Sequence, residues 1–204
     1  MTNNRDLPIL VLASASPRRK EILASISIPF VSEPVDIQEK FSSLPSENDA
    51  IRLAEEKVLA LLKRNSGFSR KWILGCDTIV EESGRKLGKP DTREEAGDFI
   101  RRLSGKTHKV ITGLALYSPL TGTGEGDQLL KKAEVTEVTF SVLSENEISW
   151  YLESEEWKGA AGGYRIQERG GLFVKRIQGS CSNVVGLPIH TFYGMVRSAR
   201  YLNI

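Results

Sequence analysis

The stretch Leu10–Lys20, read LVLASASPRRK, constrains this chain more than any other. The apolar run Ile9 to Ala13 predicts a short buried strand. It breaks at Ser14-Ala15-Ser16, and Pro17 then opens a helix carrying Arg18, Arg19, Ile22 and Leu23. Ser16 is a candidate cap, and proline suits a first helical turn, where a missing N–H costs nothing. Free backbone N–H groups, two hydroxyls and two guanidinium groups thus converge on one strand-to-helix turn. That is an arrangement for binding a phosphate chain. The alternative is an ordinary turn with solvated arginines, and the concentration of donors favours the anion site. The turn alone names no reaction.

Further along, strands and helices alternate and then strands dominate. Phe30 to Val35 reads as a strand, and Ser46 to Lys63 as a helix with Ile51, Ala54, Val58, Leu61 and Leu62 on its apolar stripe. Ser66 to Lys71 reads as a polar loop. Trp72 to Val80 is a strand that turns at Glu82-Ser83-Gly84 and returns through Lys86-Leu87. Thr92 with Glu95 caps a helix burying Ala96, Phe99, Ile100 and Leu103, and Ser144 with Glu147 caps one burying Ile148, Tyr151 and Leu152. Lys109 to Tyr117 and Val135 to Val142 are strand-like, the second with Val138, Phe140 and Val142 facing inward. Between them, Ser118–Asp127 reads as a mobile Gly-rich loop. Phe173 to Ile177 is a further strand, and Pro188 opens a last helix with Ile189, Phe192, Tyr193 and Val196 inward. The expected fold class is mixed α/β: a central mixed sheet, flanking helices and a cleft between two lobes. Residues 1–8 are expected to be a flexible tail, and 9–204 a single domain.

A formal charge of +2 and the lack of any long Lys/Arg run argue against nucleic-acid binding. No apolar stretch reaches membrane-spanning length, and no signal-peptide core precedes Pro8. Cys76 and Cys181 form neither a disulfide framework nor a metal-ligand spacing, which suits a reducing cytoplasm. Both read as small packing residues.

Asp77 lies inside the apolar strand ILGCDTIV, where a carboxylate is costly to bury without a partner. It is either a structural acid bonded to backbone amides or a metal ligand or general base, and the second reading leads. Thr78 points to the opposite strand face. By themselves, Lys57 reads as a snorkelling lysine, Lys89 as part of a solvated Gly-Lys-Pro turn, and Glu39 as a loop acid. His108 and His190 stand far apart, which disfavours a His-based metal site, and no Ser-His-Asp arrangement offers itself. What remains is carboxylates for a divalent cation with Lys and Arg for phosphate oxygens, a set suited to phosphoryl chemistry with Mg²⁺ or Mn²⁺.

In this order, SASPRRKEIL, RLAEEK, GCDTIV, LGKP, LSGKTHKV, YRIQ and NVVGLP resemble the Maf family of nucleotide pyrophosphatases, from about Leu10 to Pro188. The resemblance implies a fold similar to inosine triphosphate pyrophosphatases. It implies hydrolysis of a nucleoside triphosphate to monophosphate and pyrophosphate with Mg²⁺ or Mn²⁺, and a historical link to septum formation. It makes Asp77 the catalytic acid and metal ligand, and Glu39 its partner at the metal. Lys57 and Lys89 become phosphate-contacting lysines, and Ser14, Arg18 and Arg19 the phosphate-binding turn. Arg18, Thr78 and Gln167 match the branch acting on dTTP and UTP, extending to modified pyrimidine nucleotides. The alternatives are the 7-methyl-GTP branch and a non-catalytic nucleotide-binding regulator of division. An amide such as Gln167 can pair with O4 and N3–H of a pyrimidine ring. A homodimer is implied by the family alone. One stretch departs from the family: aligned from Tyr164, its usual Asp-Lys pair falls on Gly159-Ala160. Lys158 is a candidate replacement for that lysine, and nothing replaces the acid.

Overall fold

The computed structural model describes residues 7–119 and 128–202. Strand β1 (Leu10–Leu12) pairs in parallel with β2 (Phe30–Ser32) and with β3 (Trp72–Glu82), placing Leu10 opposite both Phe30 and Trp72. β3 turns at Ser83-Gly84, both with positive φ, and returns antiparallel as β4 (Arg85–Leu87), with Val80 opposite Leu87. Two successive positive φ values define the tight turn that matches strand twist, which is why glycine follows serine there. β5 (Thr107–Ser118), β6 (Gln128–Phe140) and β7 (Val174–Gln178) complete the sheet, with β7 antiparallel to β6. The order is β2-β1-β3-β5-β6-β7, with β4 beside β3. Helices α1 (Pro17–Ser25), α2 (Ser46–Arg64), α3 (Arg93–Leu103), α4 (Glu145–Glu153), α5 (Cys181–Val185) and α6 (Ile189–Ser198) make this the expected mixed α/β architecture.

The chain forms two compact units. One takes the described residues up to Asp77, those of Thr112–Glu134 and those from Gly186 onward. The other takes Thr78–Ile111 and Val135–Val185. In the first unit both faces of β1 are covered. Leu10 and Leu12 pack with Leu23, Trp72, Leu74, Phe192 and Met195, while Val11 and Ala13 pack with Ala54, Val58, Leu61 and Ile73. Alternate residues of a strand point to opposite faces, and strands buried on both faces read as continuous apolar runs. The second unit has its own core, in which Phe140 lies edge-on to His108 and Tyr164, with Tyr151 against Phe173.

Several sequence expectations shift for identifiable reasons. The buried face of α2 holds Ala50, Leu53, Ala54, Lys57, Val58 and Leu61, whereas Ile51 and Leu62 are only partly buried. Two glycines set this. A Cβ on Gly113 would fall 2.2 Å from Ala50 backbone, and one on Gly75 would fall 2.1 Å from the Ala54 carbonyl. The helix therefore rests directly on bare backbone, and the residues at that contact become its inner face. Ser66–Arg70, expected as a polar loop, forms a 3₁₀ turn that buries Phe68, with the Asn65 side chain accepting from Gly67 N–H. Val142 is exposed rather than inward, because β6 ends at Phe140 and the Ser141 N–H turns to the Phe173 carbonyl. In α6 the inner face is Phe192, Met195 and Val196, and Tyr193 points outward. Ser16 precedes α1 without a side-chain cap, and its N–H donates instead to Ser14 Oγ. Of the Gly-rich Ser118–Asp127 stretch, residues 120–127 lie outside the described residues.

Candidate active site

Lys57 is buried, and its side chain does not reach solvent as a snorkelling lysine would. Its Nζ lies 2.5 Å from Asp77 Oδ1 and 2.8 Å from Glu39 Oε1, and it donates to the Cys76 carbonyl at 3.3 Å. α2 aims it at β3 because Gly75 lets the helix close on the strand two residues before Asp77. Asp77 is 4% exposed. Burial pushes its carboxyl above the ordinary carboxylate range, the Lys57 charge pulls it back, Glu39 raises it further and Arg19 lowers it. Burial likewise pushes the neighbouring Cys76 thiol up to about 11.

The strand-to-helix turn is built as the sequence suggested in one respect. Arg19 is buried in α1, its Nη1 donates to Ser14 Oγ at 2.9 Å, and its Nε donates to the Gly186 carbonyl at 2.9 Å. The Ser32 hydroxyl donates to the Ser14 carbonyl at 2.9 Å and fixes the turn against the end of β2. Sequence reasoning missed the Gly186 contact. Its signal was the NVVGLP motif, whose glycine adopts a φ of 116° and turns its carbonyl toward Arg19. Arg18 follows in the first turn of α1, partly buried.

Ser14, Arg18, Arg19, Glu39, Lys57 and Asp77 thus belong to one unit, and Glu39, Lys57 and Asp77 are directly linked. Thr78, Lys89 and Gln167 belong to the other unit. Thr78 lies on β3, Lys89 between β4 and α3, and Gln167 is exposed in the turn after Tyr164. The atypical Lys158–Gly163 stretch is firmly held. Gly162 N–H donates to the Gly88 carbonyl at 2.8 Å, beside Lys89, and Tyr151 donates to the Gly163 carbonyl at 3.1 Å. Gly162 has a φ of 69°, and a Cβ there would strike Val80 at 2.7 Å, so a glycine at this position is what lets the stretch close. Lys158 forms an exposed ion pair with Glu155 at 2.6 Å, and Arg165 Nη2 donates to the Lys158 carbonyl at 2.8 Å. A buried bond between His108 Nε2 and Tyr164 Oη, at 2.8 Å, anchors the YRIQ segment. Cys76 packs in the core as expected, but Cys181 is exposed at the start of α5.

The sequence profile of the Maf-like protein family matches residues 9–199. The chain belongs to the Maf-like family. It is 44% identical over 187 residues to a dTTP/UTP pyrophosphatase of Myxococcus xanthus, covering 91% of this chain and 90% of that one. It is 40% identical over 181 residues to a dTTP/UTP pyrophosphatase of Pyrococcus furiosus, covering 88% and 90%. Among solved structures, the Staphylococcus aureus Ham1 protein is similar at a TM-score of 0.45 and 15% identity, covering 93% of this chain and 98% of that one. Two Maf-family features, GCDTIV and RLAEEK, supply the Asp77 and Lys57 that meet in the first unit.

Among the described residues, no group of three or more His, Cys, Asp or Glu side chains is placed to hold a metal ion. Asp77 and Glu39 are the two carboxylates that could serve Mg²⁺ or Mn²⁺, in competition with the Lys57 ammonium that they now share. These ions take one or two protein carboxylates and complete their coordination with water and substrate phosphates. No described helix is long and apolar enough to cross a membrane.

Proposed function

We propose that this Maf-like chain is a nucleoside triphosphate pyrophosphatase that cleaves dTTP and UTP to monophosphate and pyrophosphate. The observation that carries the reading is the buried Asp77–Lys57 pair, joined by the more exposed Glu39, in a chain at least 40% identical to pyrophosphatases of that specificity. Asp77 accepts a proton from the attacking water. The water oxygen bonds to the α-phosphorus, the bond from that phosphorus to the oxygen bridging the α- and β-phosphates breaks, and pyrophosphate leaves. Burial makes Asp77 a better base than an exposed carboxylate, and the adjacent Lys57 charge opposes that upward shift. Asp77 and Glu39 would hold Mg²⁺ or Mn²⁺, which when bound polarises a phosphoryl oxygen. Arg18, Arg19 and Lys89 balance charge on the phosphate chain, with Ser14 holding Arg19 in its orientation. Thr78 and Gln167 are the residues assigned to selecting a pyrimidine, modified pyrimidines included, because a side-chain amide can pair with O4 and N3–H of such a ring. A cytoplasmic setting, a homodimer and independence from nucleic acid belong to the same proposal.

The test is pyrophosphate release from dTTP, UTP, CTP, GTP, ATP and 7-methyl-GTP, with and without Mg²⁺ or Mn²⁺. Metal-dependent release confined to dTTP and UTP is the expected result. Release from 7-methyl-GTP alone would overturn the specificity, and release from none would overturn the reaction.

A further inference from the structure

Glu39 sits in residues 33–45, which contain neither helix nor strand. Irregular backbone by itself does not hold a carboxylate to the precision a reactive site needs. Two side chains of α2 grip this segment on the far side of Glu39 from β2. Asp49 is fully buried. One of its oxygens accepts from the Ser42 backbone N–H at 2.8 Å, and the other from the Ser42 hydroxyl at 2.8 Å. Arg52 donates to that second oxygen through Nε at 3.2 Å and Nη2 at 3.0 Å, and Nη2 also donates to the Lys40 carbonyl at 2.7 Å. Lys40 is the residue next to Glu39, and Arg52 is itself braced by Glu56 at 2.6 Å. Asp49, Arg52 and Lys57 ride on the same helix. The element that delivers Lys57 to Asp77 therefore also delivers the segment that brings Glu39 to Lys57.

We propose that Asp49, acting through Ser42 and Arg52, is a positioning residue that sets Glu39 at Lys57 and Asp77. Both Asp49 oxygens accept from the segment carrying Glu39, and Arg52 joins the same carboxylate to the Lys40 carbonyl. The inference rests on the role given to Glu39 above, and its test separates the two.

Hydrogen exchange on the intact chain, free of nucleotide and metal, compares the unsubstituted protein with Asp49→Asn and Arg52→Gln. The expected result is exchange at least about tenfold faster at Lys40–Leu44, with the α2 amides from Leu53 to Leu61 unchanged. Unchanged exchange at Lys40–Leu44 in both variants overturns the tether. Arg52 is about one-third exposed (32%), so Arg52→Gln carries the test if Asp49→Asn does not fold. The second arm is a double-mutant cycle on pyrophosphate release from dTTP. Asp49→Asn is expected to lower kcat at least about tenfold, and the Asp49→Asn, Glu39→Gln pair to be no slower than Glu39→Gln alone. Additive losses, or an unchanged kcat in Asp49→Asn, overturn positioning through Glu39. If the unsubstituted protein releases no pyrophosphate, the proposed function fails, and the exchange arm still decides whether Asp49 holds the segment.

Discussion

At the scale of single residues, the site depends on charges that burial makes costly and that partners make tolerable. Lys57 is the pivot, because it meets Asp77, Glu39 and the Cys76 carbonyl at once. Removing one member of a buried ion pair leaves the other uncompensated, at a cost of roughly 3–5 kcal/mol. Lys57→Met is therefore expected to lower unfolding stability by that order in a urea titration, beyond any loss of activity. Asp77→Asn keeps the shape and removes the base. It should keep the fold, at some cost in melting temperature because Lys57 is left with Glu39 as its carboxylate partner, and reduce kcat by about 10²–10⁴-fold. Retained turnover in that variant would remove Asp77 from the mechanism. His108 offers a pH prediction of a different kind. Burial holds it down at about 4 from the ordinary 6.5. The unfolded chain thus binds more protons between these values. The stability tied to the neutral ring is complete above about pH 6.5 and is lost as pH falls toward 4, by up to about 3 kcal/mol. His108→Phe should flatten that slope in denaturation curves across the window. At neutral pH the variant should be less stable, because Tyr164 loses its buried partner.

At the scale of elements, two bare glycines do what no side chain could. Gly75 on β3 and Gly113 on β5 let α2 lie against backbone, and that closeness brings Lys57 within reach of Asp77. Gly113→Ala is expected to destabilise by about 1–3 kcal/mol or more, since the added carbon meets backbone atoms that cannot swing aside. Thermal melting measures it, and a melting temperature unchanged within a degree would show that α2 can shift freely. Legibility at this scale followed the strength of the local signal. Pro17, Ser144 with Glu147, and Ser83-Gly84 marked their elements, and the Ser144–Glu147 capping box is present in full. Thr92 accepts from Glu95 N–H as expected, but the Glu95 carboxylate turns to Asp91 N–H, one residue earlier. The stripe of α2 was misjudged because apolarity alone ranked Ile51 and Leu62 above Ala50 and Lys57. The helix rotates to present its small residues where glycine admits it.

At the scale of the whole molecule, each unit closes around its own core, and the two cysteines divide accordingly. Cys76 lies in the core of the first unit, and Cys181 is exposed in the second. Titration of the native protein with a thiol reagent is expected to modify one cysteine per chain, and both after denaturation. Two fast thiols in the native state would contradict the packing around Cys76.

The sequence by itself determined the alternation of elements, the strand-to-helix turn with its arginines, and an acid in an apolar strand that had to find a partner. These follow from local rules: periodicity, capping and the cost of burying charge, all of which act on neighbouring residues. Only the tertiary structure decided who the partner is. Glu39, Lys57 and Asp77 are separated along the chain, and none of the three carried a decisive signal except Asp77. Their meeting depends on α2 docking on Gly75 and Gly113, and on a segment without secondary structure fastened by Asp49 and Arg52. Contacts of that kind are set by shape and burial across distant parts of the chain, where sequence spacing carries no information.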